Sequence, residues 1–136
     1  MTYNESVALI RNIAVEINPT GTFIHGRRVD GSLAYDGFYP QILLEPFTVS
    51  VDLEKATETA NMSLGFLLKD AAENNAEKRE IIIGEADVLC TAFIKELETK
   101  HVDVSNIVAR PFYNIFAGVV SGYLLTFNLT SKRSAC

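Results

Sequence analysis

The chain has 136 residues, 48% of them hydrophobic, with a net charge of −5 and a pI near 5.0. That length suits one domain, residues 1–136, able to bury a core without disulfides or metals. The aromatic content of 10% argues against disorder, and the acidic balance argues against a nucleic-acid binder, whose affinity rests on a basic stripe.

Basic residues occur only as pairs: Arg27-Arg28, Lys78-Arg79 and Lys132-Arg133. Sequence-specific nucleic-acid binding is therefore not expected. The two cysteines, Cys90 in a predicted helix and Cys136 at the last position, make no disulfide framework and suit a reducing compartment. Met1 to Glu5 lacks the basic and apolar segments of a secretory signal. The most apolar stretch, Ile115 to Leu129, is too short and too interrupted to cross a bilayer as a helix. No membrane association is expected.

The first element reads as a helix from Asn4 to Ile17, with Val7, Ile10, Ile13, Ala14 and Ile17 on one face. Thr2 and Glu5 stand at capping-box spacing, and Asn18-Pro19-Thr20-Gly21 stops the helix. Thr22 to Arg28 is β-like, with Phe23 and His25 on one face and Ile24 on the other. Asp30-Gly31 and Asp36-Gly37 are turn signals around Ser32-Leu33-Ala34-Tyr35, and Arg27, Arg28 and Asp30 are expected to flank a hairpin tip.

Phe38 to Leu44 reads as a strand with Pro40 near its start, and Glu45-Pro46 as a bend. Phe47 to Leu53 alternates, with Phe47, Val49, Val51 and Leu53 on one side. Glu54 to Ala60 reads as a hairpin connection. Asn61 to Lys69 alternates again, with Met62, Leu64, Phe66 and Leu68 together; a helix over Leu64 to Ala72 also fits the pattern. Asp70 to Glu80 is a polar connector that runs into a long helix ending near Lys100, with Ala86, Leu89, Cys90, Phe93, Ile94 and Leu97 as its apolar stripe. Val104 to Tyr113 is a strand bent or ended by Pro111. Phe116 to Thr130 closes the chain with Tyr123, Leu125, Phe127 and Leu129 on one face and Phe116, Val120 and Leu124 on the other.

The expected fold is α+β: a mainly antiparallel sheet with two helices packed on one face, in the order α-β-β-β-β-α-β-β. The closing strand is apolar on both faces, so both faces need cover, from a helix or from another subunit.

Constellations that carry chemistry do not emerge. His25 and His101 lack Cys or His at zinc-ligand spacing, and no nucleophile elbow, Walker or dinucleotide-binding pattern occurs. The expectation is no enzyme, no catalytic residue, no metal, no cofactor and no small-molecule substrate. The residues singled out instead are contact candidates: the turn residues Arg27, Arg28 and Asp30; the aromatics Tyr39, Phe112 and Tyr113; and the second face of the closing strand, Phe116, Val120 and Leu124.

With the N-terminal amphipathic helix, three phrases carry a resemblance: the strand Tyr39-Pro40-Gln41-Ile42-Leu43-Leu44-Glu45-Pro46, the long helix Ile82 to Leu97, and the closing strand Val119-Val120-Ser121-Gly122-Tyr123-Leu124-Leu125-Thr126-Phe127. Together these resemble the small tail-completion, tail-terminator and neck proteins of tailed bacteriophages, particularly phages of Bacteroidetes hosts. The resemblance implies a structural virion protein, assembled in the host cytoplasm. It further implies a homo-oligomeric ring of six or twelve subunits at the head–tail neck (a head-tail connector) or the end of the tail tube, with neck, portal or tail-tube proteins as neighbours. A different class remains open, a bacterial ferredoxin-like module that binds a small ligand or regulator.

Overall fold

The computed structural model describes residues 1–26, 39–69, 76–114 and 120–132. Among these residues two helices and six strands follow one another as α1 (Tyr3–Ile17), β1 (Thr22–His25), β2 (Gln41–Leu44), β3 (Thr48–Asp52), β4 (Thr57–Lys69), α2 (Ala76–Glu98), β5 (Asp103–Asn114) and β6 (Val120–Lys132). The class is α+β.

The N-terminal helix begins where the capping-box spacing puts it. The Thr2 side chain accepts from the Glu5 backbone, and the Glu5 carboxylate accepts from the Thr2 backbone. Its end is tied to the sheet: Asn18 Nδ2 donates to the Pro40 carbonyl at 2.8 Å, and the Thr22 backbone donates to the same oxygen at 3.2 Å. Gly21 lies against both Asn18 and Pro40, and a side chain there would collide with them.

The sheet is organised by its two longest strands. β4 and β6 pair antiparallel over thirteen residues, from Thr57↔Lys132 to Lys69↔Val120. β5 lies outside β6, and the other side of β4 is shared: β2 pairs with Leu64 to Leu67, β3 with Thr57 to Asn61. Leu44 and Thr48 are four positions apart, whereas their partners Leu64 and Asn61 are three apart, so the Glu45-Pro46 bend is a one-residue bulge between the two strands that share that side of β4. The order across the sheet is β1-β2-β4-β6-β5, with β3 beside β4.

The structure refines the expected pattern in four places. β1 pairs parallel to β2, so those two strands are joined by a crossover, not a hairpin; the turn signals between them lie outside the described residues. β4 begins at Thr57, inside the segment read as a connection, because each of Thr57 to Ala60 has a partner on β3. The helical reading of Leu64 to Ala72 yields to the strand up to Lys69, where the described segment ends. Pro111 sits inside β5, where the edge position leaves one side of the strand without any pairing that a proline would interrupt.

Both helices lie on one face. Val7, Ile10, Ile13 and Ala14 of α1 and Cys90, Phe93 and Leu97 of α2 form a single cluster with Ile42, Leu44, Ala60, Met62, Leu64, Phe66, Leu125, Phe127 and Leu129. Phe93 is its centre: its ring meets Phe66 edge-on at 5.7 Å and Phe127 at 6.4 Å. Gly122 passes so close to the Phe66 carbonyl that a Cβ there has no room. Phe93→Ala is expected to cost about 3–5 kcal/mol, read as a lower denaturation midpoint at unchanged slope.

Cys90 is buried in this cluster, and burial, reinforced by the Asp87 charge, pushes its thiol from 9.0 to about 11. The fold thus favours the protonated thiol, while the unfolded chain releases the proton from about pH 9.0. The stability from this group is complete below pH 9.0 and declines as pH rises towards 11. Cys90 is expected to resist alkylation until the chain unfolds, and Cys90→Ala to show a shallower stability loss over that pH range than the native chain.

Candidate subunit-contact surfaces

Alternation along β4 and β6 puts Thr57, Thr59, Asn61, Ser63, Gly65 and Leu67 of β4 opposite Lys132, Thr130, Asn128, Thr126, Leu124 and Gly122 of β6, all on the face turned away from the helices. That face has two halves. The half beside β3 is polar, with Thr48, Asn61, Asn128 and Ser105 in one row across four strands and Ser50, Thr59, Thr130 and Asp103 in the next. Thr59 and Thr130 join their hydroxyls at 3.1 Å, and Asn61 Nδ2 donates to Thr48 Oγ1 at 3.3 Å.

The half beside β2 is apolar. Leu43, Leu67 and Val120 form a second buried cluster, with Ile24, Tyr39 and Phe112 packed against it. Next to it lies a recess of about 190 Å³, walled by Leu43, Leu67, Pro111, Phe112 and Leu124, with Glu45 and Arg110 as its charged members. Gly65 carries no side chain at the floor; a Cβ there would press on Leu67.

Four of the residues singled out in the sequence meet on this surface: Tyr39, Phe112, Val120 and Leu124. Val120 is wholly buried and Leu124 nearly so, and neither is covered by α1 or α2, which lie on the opposite face. Tyr113, the next residue along β5 from Phe112, falls on the other side and is half exposed. Arg27, Arg28, Asp30 and Phe116 lie outside the described residues.

Sequence reasoning missed Gly65, Leu67 and Arg110. The signal for the first two was present: along one face of β4 the residues pass from Asn61 and Ser63 to Gly65 and Leu67, from polar to apolar. It also missed that both long edges carry exposed apolar side chains. On β3 these are Val49 and Val51, with Leu53 just beyond at 78% exposure; on β5 they are Ile107, Val108 and Tyr113. β5 bulges between Ser105 and Val108, with Asn106 at φ 53°, a left-handed conformation that asparagine tolerates.

His25 has a structural setting. The Leu44 carbonyl, 2.8 Å from Nδ1, only accepts, so Nδ1 carries the proton and Nε2 accepts from the Tyr3 hydroxyl at 2.9 Å. Tyr3 in turn stacks on Phe47 at 4.4 Å. The imidazole therefore ties the start of α1 to the β2–β3 bend. Among the described residues no cluster of metal-ligating side chains occurs, and no helix is long and apolar enough to cross a membrane.

No family model matches the chain, and comparison with curated proteins gives no match.

His25→Ala is expected to destabilise the fold by about 1–3 kcal/mol, the net value of two hydrogen bonds, those to the Leu44 carbonyl and the Tyr3 hydroxyl; the carbonyl keeps the Gly26 backbone as a donor at 3.0 Å. Tyr3→Phe, which keeps the stacking on Phe47, is expected to cost no more than about 1.5 kcal/mol. Urea titration of both variants checks the order.

Proposed function

We propose that this protein is a structural virion subunit of a tailed phage, assembling into a homo-oligomeric ring at the head–tail neck or the end of the tail tube. The observation that carries this reading is a sheet with two different edges, each bearing exposed apolar side chains. At one side stands β3 with Val49 and Val51; at the other stands β5, twelve residues long, with Ile107, Val108 and Tyr113. Among the described residues, neither has a strand partner on its outer side.

Unlike edges on opposite sides of one subunit favour contact between the β3 side of one copy and the β5 side of the next. Such a heterologous contact closes into a ring when the rotation between copies divides a full turn. The Asn106 bulge and Pro111 restrain open-ended pairing along β5, since a bulge twists the edge and a proline removes a donor. The acidic net charge of −5 suits a passage that DNA traverses without adhering.

Light scattering coupled to size-exclusion chromatography is expected to give a closed oligomer of six or twelve copies. A strict monomer at high concentration, with no partner recovered from virions, would overturn the reading. Val51→Lys and Val108→Lys are each expected to break the ring. Mixed together they are expected to restore one intact junction and yield dimers, because each variant retains the edge that the other lacks.

A further inference from the structure

We draw no further inference here: the strongest candidate, the exposed stripe of Ile81, Gly84 and Val88 on the outward face of α2, carries nothing because the acidic Glu77, Glu80, Glu85 and Asp87 around it oppose a second copy of the same helix and nothing in the structure shows what else covers it.

Discussion

The thirteen-residue pairing of β4 with β6 is the constraint on which the rest of the structure depends. It is the longest uninterrupted ladder in the sheet, and it sets the alternation that sends Met62, Leu64, Phe66, Leu125, Phe127 and Leu129 towards the helices. Both helices then have one surface on which to bury their stripes, and Phe93 binds that surface together between Phe66 and Phe127. Gly122 shows how tight the pairing is, because the Phe66 carbonyl occupies the space that any larger residue would need. β4 also outruns any single neighbour on its other side, so β2 and β3 divide it and the chain bulges between them.

The same ladder makes the opposite face unequal. One half is a field of hydroxyl and amide side chains that satisfy one another across strands, as Thr59 does with Thr130. The other half is apolar enough to bury Leu43, Leu67 and Val120 without help from either helix. A face divided this way is polar in one half and apolar in the other. The recess lies in the second region, beside β5.

Much of the fold was legible because local patterns carried it. The capping box at Thr2 and Glu5, the helical spacing from Val7 to Ile17, the stripe from Ala86 to Leu97 and the period-two runs around Val49, Met62 and Leu125 are properties of neighbouring residues, and each produced the element expected. Two of the contact candidates, Val120 and Leu124, share one surface for the same reason: the closing strand's second apolar face was visible as alternation; Tyr39 and Phe112 join them there from other segments. Arg110 was not legible, because its place depends on the bulge at Asn106, which shifts β5 by one residue against β6 before Val108. Without that extra residue, Arg110 and Phe112 would face the helices.

By itself the amino-acid sequence determined the class, the element order, the helix start and the identity of the main core, since periodicity and capping act over a few residues. Only the tertiary structure decided that β1 runs parallel to β2, that β1, β3 and β5 are left as edges among the described residues, and that Val120 and Leu124 are buried away from both helices. Pairing partners and their register join residues far apart in the chain. They are selected by the total burial and hydrogen bonding of the whole sheet, and no local pattern encodes that sum.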